Sequence, residues 1–311
     1  MKKLGKIVMT GKPMPEADAW IRERCEVVSW DEQGVMPRPL LLEWLADAEG
    51  LMSVGAQPVR VDAELLAHAP KLRVIAQSSV GYDNVDVAAC TASGVPFGNT
   101  PGVLTEATAD LTYLLVLSAA RRLKESVAIV QEGRWTPTSP IPLGVDLFGK
   151  TLGMVGLGQI GSAVARRAMA SGMNVIYYNR RRRSPQEENG AVYVDFAELL
   201  TKADFIVVLV PLNEDSRGLF GAAEFAKMKK TAFFINAARG AIVKTEELYA
   251  AVRDGVIAGC ALDVTDPEPL PADHPLWHCD NALITPHAGG DSTAMLPRMA
   301  ALIRRQIGHL R

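Results

Sequence analysis

Across 311 residues the chain has a hydrophobic content of 48% and a formal net charge of −2, enough for two domains of ordinary size with real cores. So near-neutral a balance offers no overall basic field to hold nucleic acid or an anionic membrane. Cys25, Cys90, Cys260 and Cys279 lie far apart without a CxxC pair, which suggests neither a zinc knuckle nor a redox dithiol; the expectation is no metal, and reduced thiols in a cytoplasmic protein.

The chain opens on the basic stretch Met1-Lys2-Lys3-Leu4-Gly5-Lys6, which lacks the apolar run and small-residue cleavage site of a signal peptide. Short apolar runs at 7–9, 27–29, 51–54, 74–76 and 95–97 then alternate with helical stretches near 15–24, 37–48, 62–69 and 86–93. Alternation of this kind predicts a parallel sheet covered by helices on both faces. A long helical stretch follows from Thr105 to Glu132; its apolar part, Leu111 to Ala120, is too short to span a bilayer and fits a buried helix. The proline- and glycine-rich piece from Trp135 to Gly149 reads as a junction.

From Lys150 the alternation resumes, with strands expected at 151–155, 174–178, 205–209, 232–236, 258–264 and 281–285. Directly after the first of these stands Gly156-Leu157-Gly158-Gln159-Ile160-Gly161, opening the helical run Ser162 to Ala168. The spacing is that of a dinucleotide cradle: the first glycine permits the tight turn, the second admits a pyrophosphate, and the third lets helix pack on strand. The residue expected at the adenosine ribose, about 20 positions on, is Asn179, where an acid would bond the 2'-hydroxyl and repel a 2'-phosphate. Arg180, Arg181, Arg182 and Arg183 follow it, and guanidinium forks suit phosphate, so the reading is NADP, through Arg180 first and Arg181 or Arg182 second. A solvated surface turn before Ser184-Pro185 is the other reading of that run.

A helical tail from Ser292 to Gln306 closes the chain, and its return to the first domain would make that domain discontinuous, with the cleft between domains as the site. Three residues at strand ends or loops have the chemistry for hydride transfer to a carbonyl: Arg239, Glu268 and His287. An imidazole titrates near working pH and exchanges the hydroxyl proton; a carboxylate orients it and favours its charged form; an arginine grips an α-carboxylate with two parallel bonds. Each alone has an ordinary reading as a loop cap, a solvated glutamate or a helix cap.

Taken together, these residues and their contexts resemble the D-isomer-specific 2-hydroxyacid dehydrogenase family over nearly the whole chain, and within it glyoxylate/hydroxypyruvate and 2-ketogluconate reductases. The phrases Ser79-Val80-Gly81-Tyr82-Asp83-Asn84, Leu104-Thr105-Glu106 and Tyr178-Asn179-Arg180-Arg181 carry that closer likeness. The resemblance implies an α/β protein of two Rossmann-like domains with doubly wound parallel sheets: a discontinuous substrate domain, 1–100 and 287–311, and a nucleotide domain, 101–286, with dimerisation helices near 105–145 forming a homodimer. It implies catalysis by Arg239, Glu268 and His287, and a substrate carboxylate received by Ser79 and the Val80 and Gly81 amides. It further implies cofactor contacts at Pro211, Ala237, Ala238 and Arg239, at Asp263 beside the nicotinamide, at His287, and at Thr105, for which a plain helix cap is the alternative. One departure from the family pattern is Gly290, in place of a serine, followed by Asp291.

The expected function is NADPH-preferring reduction of glyoxylate, hydroxypyruvate or 2-ketogluconate to the D-2-hydroxy acid. The rivals are an NAD-linked relative such as a phosphoglycerate dehydrogenase and a dinucleotide-sensing binding protein.

Overall fold

The computed structural model describes residues 3–55, 59–293 and 295–308. The chain begins β1 (Lys6–Met9), α1 (Pro15–Arg24), β2 (Glu26–Ser29), α2 (Arg38–Leu45), β3 (Gly50–Ser53), α3 (Ala63–His68), β4 (Val74–Gln77), α4 (Val87–Ala92) and β5 (Phe97–Gly98). Next come α5 (Thr105–Ala120), α6 (Leu123–Gln131), β6 (Thr151–Val155), α7 (Gln159–Ala170), β7 (Asn174–Tyr178), α8 (Pro185–Glu188), β8 (Val192–Tyr193), α9 (Phe196–Lys202) and β9 (Phe205–Val208). It ends α10 (Ala222–Phe225), β10 (Phe233–Asn236), α11 (Thr245–Arg253), β11 (Gly259–Leu262), β12 (Ala282–Ile284) and α12 (Met295–Ile307).

Two compact units result: 1–104 with 292–311, and 105–291. The crossings fall after Leu104 and Asp291 rather than at residues 100 and 286, because Val103 and Leu104 pack into the core of the first unit. That unit is a five-stranded sheet in the order β2-β1-β3-β4-β5, parallel throughout. Leu41, Leu45, Leu65 and Cys90 cover one face with Val8, Leu51 and Ile75. Ala17, Ile21, Met299, Ala300 and Ile303 cover the other, over Ile7, Met9, Met52 and Val74, so α12 does return to this sheet. Fully burying such side chains contributes about 1.5–3 kcal/mol each, which explains why strands with both faces covered read as unbroken apolar runs.

The second unit is a seven-stranded parallel sheet, β12-β11-β10-β9-β6-β7-β8. Ala109, Leu115 and Val116 of α5, with Ala163, Val164 and Ala168 of α7, cover Met154, Ile235 and Ala261. On the opposite face Leu199, Leu200, Phe225, Leu248 and Val252 cover Ile206, Phe234 and Leu262. Six strands were expected here; the seventh, β8, has two residues and is too short to show an alternation. The expected single helix from 105 to 132 is broken at Arg122, whose φ of 50° is left-handed. The last helix begins at Met295 rather than Ser292, and Ala294 lies outside the described residues, as do Met1 and Lys2 of the basic start. All four cysteines are free thiols, and no described helix is long and apolar enough to cross a membrane.

Candidate active site

In the second unit β6 lies between β7 and β9, so the strand order reverses at β6, and ligands of open α/β sheets bind beyond the carboxyl ends of the strands at such a point. The glycine loop stands there. Gly156 has φ +106°, and a Cβ on it would lie 2.6 Å from the Leu209 carbonyl oxygen; a Cβ on Gly161 would lie 2.2 Å from the Gly156 oxygen. Gly158 differs from both: a Cβ there would meet nothing within 4 Å. The first and third glycines are therefore demanded by the turn itself. The second leaves open space at the N-terminus of α7, ahead of Gln159 and Ile160, where helix amides and dipole favour an anion. That vacant approach suits a pyrophosphate.

Asn179 follows β7 as expected, but its Oδ1 accepts from the Leu157 N–H at 2.8 Å. Its amide oxygen thus braces the glycine loop from the end of β7. The arginine run divides. Arg182 bonds Glu188 at 2.7 Å and lies over the Tyr193 ring, while Arg183 pairs with Glu187 at 2.9 Å, so both are held to α8. The Arg182 hydrogen bond keeps the Glu188 carboxyl below the usual carboxylate range. Arg180 pairs with Asp215 at 2.6 Å, and Arg181 makes no ion pair or hydrogen bond among the described residues.

At the end of β10, Asn236 is 1% exposed and shapes the next three residues: its Nδ2 donates to the Arg239 carbonyl at 2.9 Å and its Oδ1 accepts from Ala238 N–H at 3.0 Å. Ala237 and Ala238 are half-buried, and Arg239 donates from Nη1 to the Ala238 carbonyl at 2.8 Å. On the neighbouring strand end Asp263 is 2% exposed, and both of its carboxylate oxygens are taken by the loop after β12. Oδ1 accepts from Thr285 Oγ1 at 2.6 Å and Ala288 N–H at 2.9 Å, and Oδ2 accepts from Gly289 N–H at 2.8 Å. The Asp263 carbonyl also accepts from the His287 N–H at 2.8 Å. The structure turns the Asp263 carboxylate into the loop that carries His287.

That loop holds His287 at φ 54°, a left-handed conformation that costs a non-glycine residue of order 1–3 kcal/mol and persists only where surrounding contacts enforce it. The result is a close pair: His287 Nδ1 stands 2.6 Å from Glu268 Oε1. With Nδ1–H donating to the carboxylate, the Nε2 edge is left to exchange a proton. Glu268 is itself fixed by the Thr265 N–H at 3.4 Å on Oε2.

Other expected residues are more weakly defined. Thr105 is the first residue of α5, and Pro211 gives its carbonyl to Ser216 Oγ at 2.8 Å. In the first unit the loop with Ser79, Val80 and Gly81 is braced by the fully buried Gln77, which donates to Ser79 Oγ at 2.8 Å and to the Gly81 carbonyl at 2.6 Å. The Val80 and Gly81 N–H groups meet no acceptor among the described residues, as an anion-receiving turn requires. Sequence reasoning missed Asn236 and Gln77. Each is a polar residue ending an apolar strand, Phe-Phe-Ile-Asn and Val-Ile-Ala-Gln, and that signal was readable.

Glycine loop, carboxylate-backed imidazole and switch-point crevice together define a nicotinamide-dinucleotide-dependent oxidoreductase acting on CH–OH groups. Residues 113–289 match the family model described as D-isomer specific 2-hydroxyacid dehydrogenase, NAD binding domain. The chain belongs to the D-isomer specific 2-hydroxyacid dehydrogenase family, whose reaction here is the reduction of keto acids. It is 41% identical to a glyoxylate reductase of Korarchaeum cryptofilum over 92% of this chain and 87% of that protein. It is 42% identical to a glyoxylate reductase of Aeropyrum pernix over 96% and 91% of the two chains. Among solved structures it resembles an NADPH-dependent glyoxylate/hydroxypyruvate reductase of Sinorhizobium meliloti in complex with NADP and malonate, with a TM-score of 0.84 and 29% identity over 96% of this chain and 91% of that one.

Proposed function

We propose that the protein is an NADPH-preferring reductase of small 2-keto acids, with glyoxylate, hydroxypyruvate or 2-ketogluconate as substrate and the D-2-hydroxy acid as product where the product is chiral. The observation that carries this reading is the 2.6 Å pair of His287 Nδ1 and Glu268 Oε1 on a loop latched by Asp263. His287 protonates the carbonyl oxygen from Nε2 as charge develops there, and Glu268, 2.6 Å from Nδ1, holds the ring's orientation. Arg239, with the Val80 and Gly81 amides, receives the substrate carboxylate. The bound dinucleotide supplies hydride from its nicotinamide ring. Pro211, Ala237, Ala238 and Thr105 belong to its binding surface in this reading. The preference for NADPH is supported by the absence of an acid at Asn179, by Arg180 and Arg181 after β7, and by the likeness to the S. meliloti enzyme.

A homodimer through α5 and α6 belongs to the same proposal: Leu114, Leu117, Leu123, Val127 and Val130 are exposed along those helices, with Leu143 and Phe148 in the segment that follows. The free thiols suit the reducing cytoplasm.

The test is the initial rate with each of the three acids, using NADPH and NADH in parallel, for the native chain and His287→Ala. Turnover favouring NADPH and reduced by about 10³-fold or more in the variant is expected. Preference for NADH would refute the phosphate clamp, and binding of dinucleotide without turnover of any acid would favour the sensor.

A further inference from the structure

Three of the four arginines after β7 are already neutralised, but they are not neutralised alike. Arg182 and Arg183 are paired within their own loop and α8. Arg180 reaches to a different loop: its Nη1 lies 2.6 Å from Asp215 Oδ2, on the turn that follows β9, and the two side chains are 67% and 70% exposed. Because β6 lies between β7 and β9, the pair links loops on either side of the strand whose end carries the glycine cradle. The turn that presents Asp215 is stiff. Ser216, 6% exposed, donates from Oγ to the Pro211 carbonyl at 2.8 Å and accepts from Asn213 N–H at 2.9 Å, while Asn213 Oδ1 accepts from Ser216 N–H at 3.1 Å. Glu214, the neighbouring acid, makes no ion pair among the described residues.

We propose that Asp215 is a specificity-determining residue: an internal counter-ion that occupies Arg180 where a ribose 2'-phosphate would otherwise bind. The preference for a phosphorylated over a plain adenosine ribose is then set by competition between this carboxylate and the phosphate for one guanidinium, with Arg181 as a cation that no acid pairs with among the described residues. The inference rests on the reading of Arg180 and Arg181 as the NADPH clamp. A ligand without the 2'-phosphate leaves the Arg180–Asp215 pair as it stands. A ligand with it must either displace the carboxylate or share the guanidinium with a like charge nearby. Exposed pairs of this kind are weak, so Asp215 tunes the choice without forbidding either ligand.

Isothermal titration calorimetry with 2',5'-ADP and with 5'-AMP tests this on the full chain, on Asp215→Asn, on Arg180→Ala, on the double variant, and on Glu214→Gln. Asp215→Asn should tighten 2',5'-ADP about threefold to tenfold at low salt and leave 5'-AMP within about twofold. The gain should vanish in the Arg180→Ala background, since the effect is a property of the pair. Tightening that persists without Arg180, or that Glu214→Gln reproduces in full, would overturn the proposal, as would no tightening at all. If the native chain binds 2',5'-ADP no better than 5'-AMP, the NADPH reading fails; a preference then appearing in Asp215→Asn still supports the counter-ion, and none appearing overturns both.

Discussion

Replacing Asp263 with asparagine changes almost nothing in shape and removes a charge from the latch beneath His287. An asparagine placing its oxygen at the Oδ1 position keeps Thr285 Oγ1 and Ala288 N–H, but sets an NH₂ against the Gly289 N–H that Oδ2 now accepts at 2.8 Å. The opposite flip loses two donors instead of one. The gentler outcome strands one buried donor at a site 2% exposed, at a cost of about 1–3 kcal/mol. At about 2 kcal/mol, and about 2–4 °C per kcal/mol for a unit of this size, the melting temperature should fall about 4–8 °C. The measurement is made without dinucleotide, so that a change in stability is not confused with a change in cofactor binding. Because the left-handed His287 depends on this latch, kcat should also fall roughly a hundredfold, the order expected for a catalytic group displaced by about 1 Å. Asp263→Asn that melts within about 1 °C of the native chain and keeps kcat within about twofold would show that the loop holds itself by other means.

The glycine loop separates two kinds of constraint. Gly158→Ala should melt like the native chain, because its Cβ enters open space, yet bind 5'-AMP-containing dinucleotides at least tenfold more weakly by fluorescence titration; Gly161→Ala, with its Cβ 2.2 Å from the Gly156 oxygen, should lose stability by differential scanning calorimetry. Equal melting of the two would contradict this division. Asp204 provides an acid-sensitive contact: burial opposes its charge, but Lys229 at 2.9 Å and the Thr151 N–H at 2.9 Å outweigh that and hold its carboxyl below the usual carboxylate range. The folded chain then binds that proton less readily than the unfolded one, so the stabilisation is complete above about pH 4 and is lost as pH falls through the folded value below it. Melting curves from pH 6 to 3 should therefore decline less steeply for Asp204→Asn, and parallel declines would refute the assignment.

How far the fold and site could be read from the sequence depended on whether the cause was local. The apolar runs and the glycine spacing are local, and β1, β4, β6, β7 and β10 fall within about a residue of their expected ends. The break at Arg122 escaped because no glycine marks it; its backbone is held by Ser126, whose N–H and Oγ both bond the Arg122 carbonyl at 3.0 Å, and its side chain by Glu125 at 3.0 Å. Spacing placed Asn179 at the end of β7, but its orientation comes from the Leu157 N–H, an orphan donor 22 residues earlier. Asp263 likewise needed donors 22 to 26 residues away to be understood as a latch. Order along the chain singled out Glu268 and His287 as candidates; only the folded loop shows what holds them together.

The return of α12 to the first sheet has a consequence for biosynthesis. Residues 105–291 form one uninterrupted unit whose own helices cover both faces of its sheet. The first unit is translated early and finished last: Ile7, Met9, Met52 and Val74 wait for Met299, Ala300 and Ile303. At roughly 5–20 residues per second, the intervening 187 residues impose a delay of about 10–40 s during which that sheet face has only Ala17 and Ile21 of α1 as cover. The core of the first unit is thus the last to be completed, although in the finished protein it is as fully packed as the rest.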